Sequence, residues 1–143
     1  VFEVKNYSGW IYGSEQQKYW TQVLAYGKCK YKLYNPIMQN AEHIRALRQN
    51  LPQNPSIPIY SIVVFYGSAE LKNISCSSHD TYLIYSNSIC DVLQSIKKKP
   101  LIKDFNKEEV SNVLNKASKN GKNPFIIAFH GCLVKASKIN FCF

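Results

Sequence analysis

The segment Ile59–Tyr66, read as IYSIVVFY, is almost wholly apolar. It is far too short to cross a membrane, and its β-branched and aromatic residues suit a strand covered on both faces. A strand buried on both faces needs neighbouring strands and helices packed above and below. This one run therefore points to an α/β or α+β architecture, a mixed sheet flanked by helices.

The rest of the chain supplies those parts. Val1–Lys5 alternates apolar and polar residues and reads as a strand. Ser8-Gly9 is expected to turn it into a second short strand, Trp10-Ile11-Tyr12, with Tyr19–Leu24 and Lys28–Tyr34 completing a β meander. Asn35-Pro36 signals a helix start, with Asn as cap and Pro in the first turn. Ile37, Ala41, Ile44, Leu47 and Leu51 then recur at helical spacing, and Pro52 ends the run. Gly67-Ser68 is expected to break the apolar strand, sending Ala69–Lys72 into a short turn with Leu71 in the core. Thr81–Tyr85 reads as a strand and Ser88–Ile96 as a helix. Asn106 caps a further helix, with Glu109 in the capping-box position and Val110, Val113, Leu114 and Ala117 as its apolar stripe. Gly121 ends that helix, and Phe125–Phe129 reads as a last strand.

At 143 residues the chain is expected to form one domain, 1–143. Its net charge of +9 comes almost entirely from lysine, and makes a polyanion such as nucleic acid the first partner to consider. Nothing in the sequence suggests a membrane span or a signal peptide. The five cysteines are odd in number and contain no C-x-x-C pair. They read as reduced, mostly buried thiols of a cytoplasmic protein rather than a disulfide framework or zinc site.

The chemically suggestive residues come first. Glu3 and Lys5 lie two apart on a strand, so they share a face, with Phe2 and Val4 expected to face a core. A carboxylate beside an ammonium suits metal-assisted phosphodiester hydrolysis. The acid and the Val4 carbonyl would hold Mg²⁺ or Mn²⁺, and the lysine would meet the phosphate or the attacking water. An exposed ion pair has the same sequence pattern. Lys28, Lys30 and Lys32 alternate with Cys29, Tyr31 and Leu33, either to track a phosphate backbone or to keep an edge strand from pairing. Aromatic residues Tyr7, Trp10, Tyr12, Tyr19 and Trp20 are expected mainly to fill a core.

Four blocks in order, VFEVKNYSGWIYG, QKYWTQ, NPIMQNAEHIRAL and VVFYGSAELK, resemble the nuclease-related domain, itself similar to the PD-(D/E)xK nucleases. The resemblance runs from Val1 to about Ile96, leaving 97–143 as an extension. It implies a restriction-endonuclease-like core in which Glu3 matches the metal-binding acid and Lys5 the catalytic lysine. Gln39 matches a polar position facing the same cleft, with His43 one turn on and Arg45 in reach of a phosphate. The implied substrate is nucleic acid, most simply DNA. The family pattern also places an acid on a strand before E-x-K. Its absence here implies a core without its first helix and strand, weak metal binding and impaired activity. The other readings are a non-catalytic basic module that binds nucleic acid or protein, and a homodimer formed through exposed first strands.

Overall fold

The computed structural model describes residues 1–100 and 105–119. Their packing defines two compact units, 1–42 with 59–100 and 43–58 with 105–119. The first unit holds a mixed five-stranded sheet made of β1 (Phe2–Ser14), β2 (Tyr19–Leu24), β3 (Cys29–Tyr34), β4 (Ser61–Ser75) and β5 (Thr81–Tyr85). Its spatial order is β3-β2-β1-β4-β5. Pairing is antiparallel from β3 to β1 and parallel from β1 to β5. Three helices, α1 (Pro36–Gln49), α2 (Ile89–Lys97) and α3 (Lys107–Lys119), complete the α+β fold.

β4 is the strand expected from the apolar run. Ser61–Phe65 are all buried, whichever face they point to. On the face shared with α1, Val63, Phe65 and Ala69 pack with Ile11, Trp20 and Ile37. The Trp20 and Phe65 rings stack 6.3 Å apart, nearly parallel. Gly13 makes room for that indole: a Cβ there would stand 2.3 Å from the ring.

Two expected breaks do not occur. β1 runs through Ser8-Gly9 and β4 through Gly67-Ser68, so the opening segment is one long strand rather than a meander of short ones. Gly9 (φ 72°) and Gly67 (φ 93°) adopt left-handed dihedrals inside the strands. A Cβ on Gly67 would stand 2.6 Å from both Asn6 Oδ1 and Tyr7 O, so the glycine marks a close approach of backbones, not a chain reversal. β1 and β4 stay in parallel register from Phe2↔Ile62 to Tyr12↔Lys72. The register then shifts by one where Asn73 (φ 51°) is inserted, a bulge. As a result Ala69–Lys72 stays extended. Glu70 and Lys72 share a face after all and form an exposed ion pair at 2.9 Å, while Leu71 packs on the core as expected.

α1 begins where Asn35-Pro36 predicts. Asn35 is completely buried and its Oδ1 accepts from Ile37 N at 2.9 Å and Met38 N at 3.4 Å. Its amide donates to Ser14 O, Glu15 O and Gln17 O at 3.2, 3.0 and 2.7 Å. One side chain thus caps the helix and ties it to the turn joining β1 to β2. The buried stripe differs from the expected one at a single place: Asn40 is buried and Ala41 is exposed. Asn40 Nδ2 donates to Val1 O at 3.1 Å and Ser61 Oγ at 2.9 Å, which offsets the cost of burying the donor half of its amide, while its buried Oδ1 has no hydrogen-bond partner among the described residues.

Elsewhere in this unit the Glu15 carboxylate ties the same turn to the loop after β4. It accepts from Ser77 N at 2.9 Å, Ser77 Oγ at 3.1 Å and Ser78 Oγ. The Ser78 hydroxyl above all, then the Ser77 amide, holds its carboxyl below the usual carboxylate range. α2 follows β5 as expected, with Ile89, Val92, Leu93 and Ile96 half-buried on one side. In the lysine run after it, Lys99 Nζ sits 4.5 Å above the Tyr60 ring and 5.8 Å from Tyr82, a cation–π bracket rather than a contact with helix carbonyls. Cys29 and Cys90 are exposed, contrary to expectation, and among the described cysteines only Cys76 is partly buried. Cys29 lies on an edge strand and Cys90 on the outer side of α2, where a small side chain has nothing to pack against.

In the second unit Leu47, Leu51 and Asn54 are buried. Asn106 caps α3 as expected, its Oδ1 accepting from Glu108 N and Glu109 N at 3.1 Å each. Glu109 does not close a capping box. It accepts instead from Asn54 Nδ2 at 3.0 Å, while Asn54 Oδ1 takes the Asn106 N–H at 3.2 Å. The expected Gly121 stop, the Phe125–Phe129 strand and the apolar tail lie outside the described residues.

Two predictions follow from these ties. Asn35→Ala removes a helix cap and takes a donor from the Glu15 and Gln17 carbonyls, so it should lower unfolding stability by about 3 kcal/mol in urea titration. Glu15 has its folded pKa below its unfolded one. Its stabilising contribution is therefore full above the ordinary carboxylate range and is lost as pH falls through the folded pKa. Thermal melts across the acid range should show a shallower acid loss in Glu15→Gln than in the parent.

Candidate active site

The first residues of β1 define the site. Odd-numbered positions face α1, so Glu3 and Lys5 continue the face that carries Tyr7 and Ile11, alongside Val63 and Phe65 of β4. This reverses the expected sidedness. Glu3 is 7% exposed, whereas Val4 is 41% exposed and does not face a core. The acid and the base thus lie at the polar end of the core layer, not on an open surface.

Burial of these charges is matched by direct pairing. Lys5 Nζ lies 2.8 Å from Glu3 Oε1 and donates to Gln39 Oε1 at 2.8 Å. Gln39 projects from the first half of α1, whose start is fixed by Asn35. Three side chains from two elements therefore meet at one ammonium group. A buried lysine held by a carboxylate and a carbonyl has few rotamers left, so its charge stands at a defined place.

The Val4 carbonyl has a distinct environment. Val1 donates to Tyr60 O and accepts from Ile62 N, so odd residues of β1 exchange backbone bonds with β4. In a parallel ladder the even residues then turn their N–H and C=O groups the other way. On that other side β2 reaches only Trp10–Tyr12. Ser8 O, the even carbonyl just before that paired stretch, is taken by Gln22 Nε2 at 2.8 Å. The Val4 carbonyl lies further along, where no described strand pairs with β1.

A carboxylate and a carbonyl outside the ladder are hard oxygen donors, which fit Mg²⁺ or Mn²⁺ rather than a thiophilic metal. Among the described residues no group of three or more His, Cys, Asp or Glu gathers to hold an ion. Water and phosphate oxygens must therefore complete any coordination sphere at Glu3 and Val4.

The other expected site residues lie elsewhere. Lys28, Lys30 and Lys32 are exposed at the outer edge of the sheet. His43 and Arg45 lie on the second half of α1, in the other unit, His43 half-buried and Arg45 exposed. Sequence reasoning missed Asn40, which binds the start of β1 to β4 directly beside Gln39. A polar residue one place from an expected apolar stripe gave no signal.

Residues 1–66 match the family model described as the nuclease-related domain. Over these residues the chain is similar to that domain. The match contains Glu3, Val4, Lys5 and Gln39, all of β1 to α1, and β4 as far as Tyr66. The chain is also similar to an uncharacterized protein of Bacillus anthracis, 34% identical over 104 residues. That match takes in 73% of this chain and 47% of the relative, so the chain spans about half the length of the curated relative. No solved structure matches it. No helix among the described residues is long and apolar enough to cross a membrane.

The pairing has a measurable consequence. Lys5→Met takes the ammonium away from the largely buried Glu3 carboxylate and should cost about 3 kcal/mol of stability, because a buried charge that loses a close counter-charge is expensive. Adding Glu3→Gln in the same chain should recover most of that loss in a double-mutant cycle by urea titration.

Proposed function

We propose that the region of this chain similar to the nuclease-related domain serves divalent-metal-dependent hydrolysis of phosphodiester bonds in nucleic acid, with DNA as the simplest substrate. The supporting observation is the convergence of Glu3, Gln39 and Lys5, with Lys5 Nζ 2.8 Å from each partner, beside a backbone carbonyl outside the ladder.

In this reading Glu3 and the Val4 carbonyl hold Mg²⁺ or Mn²⁺. Bound there, the metal supplies Lewis-acid polarisation of the scissile phosphate. Lys5 is the cation held by Glu3 and Gln39, and its ammonium stabilises charge developing on the phosphoryl oxygens. Gln39 is a positioning residue. Its Oε1 holds Lys5 in place, and its amide is left to orient water or phosphate. Because Lys5 is bonded to Glu3 before any ligand arrives, substrate phosphate has a second task, which is to draw the ammonium off the carboxylate. The free Cys29, Cys76 and Cys90 suit a reducing, cytoplasmic setting.

The test is nicking of supercoiled plasmid with Mg²⁺ or Mn²⁺. Metal-dependent nicking should fall about 100-fold or more in Lys5→Ala and in Glu3→Ala, the range seen when one charge-stabilising group is removed. The competing reading is a non-catalytic basic module, in which Lys5 neutralises Glu3 permanently. DNA binding without cleavage, unchanged in Glu3→Ala, would establish that reading and end the hydrolytic one.

A further inference from the structure

Among the described residues β3 is the outermost strand of the sheet, bonded only to β2. Lys30 and Lys32 fall on alternate positions along it, Lys28 ends the turn that leads into it, and all three are exposed. Among the described residues no carboxylate pairs with any of them, although Lys5, Lys72 and Lys99 each have an acid within reach. Three cations in a row with no counter-charge form a linear positive ridge.

Edge protection accounts for lysines on an outer strand. It does not account for the aromatic rings beside them. Tyr31, between Lys30 and Lys32 in sequence, points to the other side of the strand and is 52% exposed. Tyr26, in the turn that leads into β3, is 98% exposed. That turn is strained: Ala25 (φ 50°), Tyr26 (φ 55°) and Gly27 (φ 99°) are all left-handed in succession. A bulky side chain rarely adopts this conformation. Here the turn holds a tyrosine ring out in solvent, which costs energy and gains no packing.

We propose that β3 and its preceding turn form a binding ridge for an unpaired polynucleotide strand. The ridge lysines take phosphates, and Tyr31 and Tyr26 stack on bases. Alternate residues of a strand repeat at about 6.8 Å, close to the separation of successive phosphates along an extended single strand. In a duplex the base faces are hidden against each other, and neither tyrosine has a surface to stack on. The inference extends the hydrolytic reading by naming the form of nucleic acid that the domain grips, and its test does not depend on cleavage.

The experiment measures fluorescence anisotropy of labelled oligo-dT and oligo-U, each about 20 nucleotides long, and of a duplex of equal length, with the whole chain in EDTA. Comparing oligo-dT with oligo-U decides whether DNA or RNA is the preferred source of the strand. Lys28→Ala/Lys30→Ala/Lys32→Ala should weaken binding of the preferred single strand about tenfold or more and flatten the log–log salt slope by about two. Tyr31→Ala should weaken the same strand about tenfold and leave duplex binding unchanged. Lys98→Ala/Lys107→Ala/Lys116→Ala removes the same charge from other exposed positions and should change little. The proposal is overturned if that control is as damaging as the ridge variant, or if Tyr31→Ala binds as the parent does. It is equally overturned if the ridge variant self-associates in light scattering with its affinity intact, the signature of edge protection alone. Because EDTA removes hydrolysis from the measurement, a failure here leaves the nicking result standing, and the reverse also holds.

Discussion

The parallel pairing of β1 with β4 is the constraint from which the candidate site follows. β1 is bonded along almost its whole length to a strand whose first half is buried on both faces. That pairing decides which way every odd and every even residue of β1 points. Glu3 and Lys5 face α1 because Val63 and Phe65, their register partners, do so. The Val4 carbonyl leaves the ladder because Val1 has already committed the odd residues to β4. A slip of one residue would expose the ion pair and bury Val4 in its place.

The cost of putting two charges at the end of a core layer is offset locally rather than by solvent. Glu3 and Lys5 neutralise each other, and Gln39 takes a further lysine proton. The position of Gln39 depends in turn on Asn35, which spends its carbonyl on the helix start and its amide on the turn after β1. Directly beside Gln39, Asn40 binds the start of β1 and the start of β4 together. Three polar anchors, Asn35 at the cap of α1 and Gln39 and Asn40 on its first half, thus hold the face of β1 where charge is buried. The helix is less an apolar cover here than a rigid arm that delivers amides.

Much of this was legible in the sequence, and the exceptions share a cause. The apolar run of β4, the Asn-Pro start of α1 and the strand at Thr81–Tyr85 are short-range signals that the fold does not overrule. Ser8-Gly9 and Gly67-Ser68 misled because a glycine that reverses a chain and a glycine that lets two backbones approach look identical in one dimension. Only the partner strand distinguishes them, since Gly67 matters through Asn6 and Tyr7, some sixty residues away. The sidedness of Glu3 and Val4 failed for the same reason. Alternation shows that two residues share a face, but the partner register decides which face is the inner one. Asn40 escaped because the acceptors of its Nδ2 lie at two distant positions, Val1 and Ser61.

The two E-x-K pairs show how little a motif says without its face. Glu3–Lys5 and Glu70–Lys72 have the same spacing, sit on neighbouring strands and make ion pairs of nearly equal length, 2.8 and 2.9 Å. The second pair stands in solvent on the side of the sheet away from Ala69 and Leu71, with both side chains about half exposed. There water screens the charges and competes for every hydrogen bond, so a phosphate gains little by approaching. The first pair is largely dry, has a third side chain fixing the ammonium, and has a carbonyl turned away from the ladder beside it. In that setting the charges of the same two residue types are less screened, and neither side chain has first to be ordered. The chemistry of the motif therefore resides in the register between β1 and β4 and in the polar arm above them, not in the spacing of an acid and a lysine.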